Sequence, residues 1–262
     1  MSIVIITIPG ESKKSVVERI QRATNDQVSL VVVQNPKSRS LITSLTAWAK
    51  TDHPLQNLYY GLKLRLHPSL RHYLELFRAR TPTHTGEWAA PIIETDDINS
   101  DAVLAAVAEK KPTVLAVWGS TIIRPELIAT APHAINLHMG CAPHYRGAIA
   151  NQRALERRDL DRIGFTVHYI NGQVDAGHII AQQCGVITDD PTDTFTALND
   201  QAEAELVNAT SALALHIPIT ATPQNIDHGE NVRLREWTPR MRYTVATILQ
   251  EWHDTKTIPY SS

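Results

Sequence analysis

Six stretches of the chain are rich in β-branched and other apolar residues and lack a polar face of their own. They are Ser2–Ile8 ("SIVIITI"), Val28–Gln34 ("VSLVVVQ"), Thr113–Gly119 ("TVLAVWG"), Ala134–His138 ("AINLH"), Ile163–Ile170 ("IGFTVHYI") and His178–Ile187 ("HIIAQQCGVI"). Runs of this length and composition predict strands, and the most uniformly apolar of them predict strands buried on both faces. Helical spacing separates them. "KKSVVERIQRA" predicts a helix with Ser12 as its cap, and Asn99 or Ser100 is placed to cap a second one. "RPELIATAP" opens on Pro125, "GAIANQRALERRD" reads as a further helix, and Asp193 is placed to cap a long one through "TFTALNDQAEAELVNATSALALH". Strand, helix and strand within the first 35 residues form a βαβ unit, hence a parallel sheet. The expected fold is α/β, Rossmann-like, with a mostly parallel sheet and helices on both faces.

Between Pro36 and about Ala90 the strand pattern lapses and helical spacing takes over, as in "SLITSLTAWAK" and "LRHYLELFRAR". The stretch is longer than an ordinary connection and reads as a helical insertion after the second strand. From Pro36 to Arg80 it carries eight Lys/Arg against two acids, Asp52 and Glu75. That imbalance suits either a solvated helix face or a surface for an anionic partner. The expected organisation is a catalytic domain over 1–216 that contains the insertion, followed by a short extension over 217–262. The extension carries five Lys/Arg and five Asp/Glu and is expected to pack on the main body.

Composition narrows the classes. The chain has 262 residues, 43% hydrophobic and 20% charged, with a formal net charge of −2. No overall basic field argues for nucleic acid. No apolar run approaches the ~18 residues that span a membrane, and the N-terminus reads as a strand rather than an export signal, so a cytoplasmic location is expected. Two cysteines, Cys141 and Cys184, are too few for a disulfide framework. Cys141 is expected to be a small apolar filler beside the site.

Chemistry concentrates in "INLHMGCAPHYRGA". Residues i and i+2 of a strand share a face, so Asn136 and His138 point the same way at the end of a parallel strand, where open α/β sheets bind ligands. Gly140, Pro143 and Gly147 fix the loop that follows, and Arg146 is placed to bind an anion or to tie the loop to carbonyls. In "GFTVHYINGQVDAGHII", Gly164, Thr166 and His168 share one strand face, and Asp175 sits in a loop bounded by Gly172 and Gly177. Alone, each group is an ordinary strand-end pair or turn former. Together, an amide donor, an imidazole and a carboxylate are what acyl transfer to an amine requires: one stabilises an oxyanion and the others move a proton.

These two stretches, "INLHMGCAPHYRG" and "GFTVHYINGQVDAGHIIAQ", closely resemble the signature of the folate-dependent formyltransferases. The resemblance runs from about Thr113 to Ile187, and more weakly from the first strand. It implies 10-formyltetrahydrofolate as the formyl donor. Asn136 would hydrogen-bond the formyl oxygen, His138 would stabilise the oxyanion, and Asp175 would orient His138 and take up the amine proton. Trp118, Gly119, Ser120, Thr121, Ile122 and Ile123 would flank the folate ring, and the loop of Gly172, Gln173, Val174, Ala176 and Gly177 would close over the pterin. Thr166, His168 and Arg146 would support these groups from behind. Where many relatives carry Pro-Ser-Leu-Leu after the histidine, this chain has Met139, Gly140, Cys141 and Ala142, a style that resembles the sugar and natural-product branches.

The acceptor is the open part. The short, charge-balanced tail argues against a tRNA acceptor. "TIPGESKKS" is a poor match to the phosphate loop of the purine-pathway enzyme, and the formyltetrahydrofolate hydrolases carry an N-terminal domain not visible here. A small-molecule amine on a nucleotide, or an amine of a natural-product intermediate, is the expected acceptor, with the insertion and tail as surfaces for a homodimer. Rival classes fare worse. A metal-dependent hydrolase would use His138, His144, His168 and His178, yet none of these four stands in an H-x-x-x-H or H-x-E spacing, and no metal is expected. A dinucleotide oxidoreductase lacks its glycine loop. A non-catalytic folate-binding module would have little use for Asn136, His138 and Asp175 together.

Overall fold

The computed structural model describes residues 1–35, 53–77 and 86–260. Its centre is a seven-stranded sheet. In chain order the strands are β1 (Ile3–Thr7), β2 (Val28–Gln34), β3 (Ile92–Thr95), β4 (Val114–Trp118), β5 (His133–His138), β7 (Gly164–Tyr169) and β8 (Ile179–Cys184), arranged β3-β2-β1-β4-β5-β7-β8. The first five run parallel; β7 is antiparallel to both β5 and β8. The order therefore reverses direction between β1 and β4, which opens a crevice at the carboxyl ends of those strands. Two short strands, β6 (Tyr145–Gly147) and β9 (Glu230–Val232), pair separately.

The uniform apolar runs explain the layering. Alternate residues of β1 go to opposite faces: Ile3 and Ile5 join one buried cluster, Val4 and Ile6 the other. The first cluster is completed by α1 (Glu11–Ala23), α6 (Ala150–Glu156), α7 (Pro191–Ala214) and α8 (Pro239–Thr255); the second by α4 (Asp101–Glu109) and α5 (Pro125–Ile128). Helices thus cover both faces, as the sequence led one to expect. Trp252 of α8 is fully buried in the first cluster, so part of the C-terminal extension belongs to the core. In the insertion, α2 (Pro54–Leu66) and α3 (Pro68–Leu74) lie against α8, where Leu64, Leu70 and Ala246 meet. The helix expected over "SLITSLTAWAK" lies outside the described residues. Among those described, no helix is long and apolar enough to cross a membrane.

Several local expectations need correction. The helix expected from Lys13 begins at Glu11 behind Gly10, and Ser12 is buried in its first turn instead of capping it. The long helix starts at Pro191 and is capped by Asp190, whose carboxylate accepts from the amides of Thr192 and Asp193, so Asp193 is not the cap. Ser100 does cap α4, accepting from Val103 N. α6 starts at Ala150 and not at Gly147, because Gly147 is committed to the β6–β9 pairing.

Candidate functional site

The antiparallel register of β5 and β7 sets Asn136 opposite His168 and His138 opposite Thr166, so the two expected pairs lie side by side on one face. The loop after β7 then folds back over this face. It delivers Asp175 from a left-handed backbone position, φ 48°, which aspartate tolerates better than most residues.

Four nitrogens surround the Asp175 carboxylate. Gly147 N lies 2.8 Å from Oδ2 and His138 Nδ1 3.2 Å from it; Asn136 Nδ2 lies 3.1 Å from Oδ1 and His168 Nε2 3.3 Å from it. The carboxylate is 13% exposed. Burial alone would push its carboxyl upward. The charge of His138, the hydrogen bond and charge of His168, and the Gly147 amide outweigh burial and hold it well below the usual carboxylate range.

Backbone carbonyls fix the two imidazoles. His138 Nε2 is 2.9 Å from the Tyr145 carbonyl and His168 Nδ1 is 2.8 Å from that of Tyr169. A carbonyl only accepts, so these two nitrogens carry hydrogens, and the opposite nitrogen of each ring faces Asp175. Asn136 Nδ2 bridges Asp175 and His168 Nε2, the latter at 3.2 Å. His168, expected as a support, is thus part of the cluster itself.

The loop that carries the turn is tied down from below. Thr166 Oγ1 donates to Gly140 O at 2.8 Å and accepts from Ala142 N at 3.2 Å and from Gln182 Nε2 at 2.9 Å. Gln182 also donates to the Ala142 carbonyl. The Ala142–Pro143 bond is cis. Gly147 needs its missing side chain: its φ is 90°, and a Cβ would lie 2.2 Å from the Val232 carbonyl oxygen. Arg146 does what one of its two expected roles requires, donating from Nη1 to Val174 O at 3.3 Å. Cys141 is buried, but it is no free thiol: it forms a disulfide with Cys184 at the end of β8. That corrects the expectation of an unpaired filler.

The segment expected beside the folate divides. Trp118 and Ile123 are buried, in the first and second core clusters respectively. The Lys13 ammonium covers the Trp118 ring, so that ring offers no free face on that side. Burial pushes Lys13 well below its ordinary value, with the charge of Glu203 pulling the other way. Between the two buried residues, Gly119, Thr121 and Ile122 face outward, Ser120 is half-buried, and the Ile122 side chain is 75% exposed. Asn99 holds the outer turn, donating to Ile122 O and accepting from Arg124 N, while Gln34 binds Thr121 in both directions. In the opposite loop, Asn171 accepts from Gln173 N at 3.2 Å and donates to Ala176 O at 3.3 Å. Gly172 and Gln173 are exposed, Val174 is half-buried, and Ala176 and Gly177 are buried.

Four contributors escaped the sequence: the Tyr145 carbonyl, the Gly147 amide, Gln182 and the disulfide. Only the glycine carried a signal, as a fixed point of the turn.

Comparison with known proteins fits this arrangement. The formyl transferase family model matches residues 59–210, more than half of the chain, and the chain belongs to that family. Among curated relatives, it is 32% identical over 108 residues to methionyl-tRNA formyltransferase of Chlorobium luteolum, a match covering 41% of this chain and 34% of that protein. Matches to the first such relatives span between a third and a half of their lengths. Among solved structures, a sugar N-formyltransferase from Shewanella superposes with a TM-score of 0.57 at 14% identity, covering 94% of this chain and 88% of that one. An N-formyltransferase from Helicobacter canadensis, solved with folinic acid and dTDP-3-aminofucose, gives 0.55 at 14% identity, covering 96% and 82%. At such identities the superpositions speak for the fold.

Proposed function

We propose that this protein transfers a formyl group from 10-formyltetrahydrofolate to the amine of a small-molecule acceptor carried on a nucleotide. The observation that carries the reading is the convergence of Asn136, His138 and Asp175, from two separate stretches of chain, on one face at the end of β5. The nitrogen of the acceptor attacks the formyl carbon. The bond from that carbon to N10 of the folate breaks as the new C–N bond completes. The proton lost by the attacking amine ends on the departing N10. Asn136 Nδ2 and His138 Nε2, exchanging their contacts with His168 and the Tyr145 carbonyl for the substrate, would supply the donors for the oxyanion, and the ionised Asp175 receives the amine proton through water before it passes on. No serine or cysteine nucleophile is needed when the amine itself attacks, and Cys141 is committed to its disulfide.

The outward-facing Gly119–Ile122 segment, with its exposed apolar Ile122 side chain, suits one face of a flat heteroaromatic ring. The loop from Asn171 to Gly177 would complete that side. The nucleotide-linked acceptor follows the class bound by the Helicobacter canadensis protein, whose structure holds dTDP-3-aminofucose.

The test is tetrahydrofolate release from 10-formyltetrahydrofolate, followed by absorbance with and without a panel of nucleotide-linked amino sugars and simple amines. Turnover that needs one amine and disappears in Asn136→Ala and Asp175→Ala is the expected result. Formate appearing without any amine would replace the reading with a hydrolase, and no folate turnover under any condition would refute it.

A further inference from the structure

Away from the carboxylate cluster, a cavity of about 500 Å³ opens between α2, α3, α6 and α8, within the range of small-ligand sites. Its lining includes Arg65, Arg71 and Arg242, with Trp237, Phe77 and Gln152. The arginines come from parts of the chain some 170 residues apart, so the fold, not local composition, brings them together. Among the described residues none of the three has a carboxylate partner. Glu75, on the same wall, has a partner of its own. Three guanidiniums against one carboxylate leave the lining with a formal charge of +2.

Two aspects make this more than a solvated basic face. Burial pushes the Arg242 guanidinium below its ordinary value, a cost that an arriving anion relieves. Arg242 also lies 5.6 Å from the Trp237 ring, which stands edge-on to Phe77 at 6.3 Å, so the cations and a flat apolar surface share one hollow. Guanidinium forks match phosphate oxygens two at a time, and an indole accepts a base by stacking.

We propose that this cavity binds a nucleoside diphosphate, with its phosphates on Arg65, Arg71 and Arg242 and its base against Trp237. Resting on the transferase reading, the ligand is the carrier of the acceptor amine. Gln152 in its wall is five residues from Gly147, whose amide holds Asp175, so at most ~18 Å of chain separates the cavity from the carboxylate cluster.

The experiment titrates UDP, dTDP, inorganic pyrophosphate and uridine into the full chain by calorimetry. It compares the wild type with Arg65→Ala, Arg71→Ala, Arg242→Ala and Trp237→Ala, and 5-formyltetrahydrofolate binding is measured alongside as a check on folding. Nucleoside diphosphate should bind the wild type and weaken about tenfold with each arginine removed. Arg→Lys should recover part of the loss, and Trp237→Ala should weaken UDP and dTDP but not pyrophosphate. Folate binding should hold throughout. No nucleoside diphosphate binding at millimolar concentration, or equal binding by all variants, overturns the proposal. The two readings fail separately: arginine-dependent nucleotide binding without any formyl transfer would sink only the transferase, and transfer to a plain amine, indifferent to these arginines, would sink only the cavity.

Discussion

Replacing Asp175 by asparagine keeps the shape of the side chain and removes its charge. Of the four groups around the carboxylate, the Gly147 amide is backbone and can only donate. The new amide oxygen must therefore take the Oδ2 position, facing Gly147 N and His138 Nδ1, and the new NH2 must face Asn136 Nδ2 and His168 Nε2. His168 can accept there, since its Nδ1 already donates to Tyr169. Asn136 must turn over or lose its contact. At most three contacts then remain, made to a neutral amide instead of a carboxylate, each weaker by about 1 kcal/mol, with one group left to desolvation. The expected cost is about 3 kcal/mol in urea unfolding, in line with removal of one buried charge partner, together with a fall in kcat of about 10²- to 10⁴-fold. The pH dependence adds a second check. Because the folded state holds the carboxyl well below its ordinary value, its contribution is fully present above the unfolded value of about 3.9 and is lost as pH falls through the folded one. The stability gap between wild type and Asp175→Asn should be flat above about pH 5 and should narrow below about pH 4. A gap under ~1 kcal/mol at pH 7, or turnover within about threefold of wild type, would refute this account.

Three further perturbations test the surroundings. In Gly140→Ala the new Cβ would sit 2.3 Å from His138 Nε2 and 2.4 Å from Ala150 Cβ; it should cost about 1–3 kcal/mol and displace His138, and normal turnover would show that the Tyr145 contact is dispensable. Thr166→Val leaves Gly140 O, Ala142 N and Gln182 short of a shared partner at a fully buried position. It should lower the melting temperature and kcat while leaving folate affinity near wild type, and an equal loss in affinity would contradict the geometry. Replacing Cys141 and Cys184 by serine opens a loop of 43 residues; chain entropy puts the loss at up to about 4 kcal/mol, and an unchanged urea midpoint, with or without a dithiol reductant, would count against the crosslink.

The sheet could be read from the chain because β4 is apolar at every position and β1 at all but Thr7, a pattern that two-faced burial rewards. β3 was hidden: it has four residues at the sheet edge, alternating exposed and half-buried, and four residues of "IIET" carry too little pattern to stand out. The Asn136–His138 pair was legible from strand periodicity, and Asp175 from its glycine-bounded loop. Their partners were not, because the Tyr145 carbonyl and the Gly147 amide are backbone groups that every residue possesses. The cap of α7 was misread by three residues because two aspartates flank its first turn; Pro191 at the first helical position settles the choice for Asp190. Cys141 and Cys184 are 43 residues apart, and only the β7–β8 pairing brings β8 beneath the loop after β5.

β8 is the last strand of the sheet, and an edge strand offers unpaired amides and carbonyls to any passing chain. Two fastenings hold this one. Ile179 at its start exchanges two hydrogen bonds with Thr222, and Cys184 at its finish is bonded to the loop that follows His138. A compartment that keeps thiols reduced, such as the cytoplasm expected from the sequence, would open the second fastening. Still laddered to β7 on its inner side, the strand would then have its outer side fastened at the Thr222 end only, and its remaining outer groups could meet their counterparts in another molecule. Reduction of this protein should therefore be felt as a concentration-dependent tendency to associate, so that a single bond guards both the setting of the loop and the solitude of the sheet.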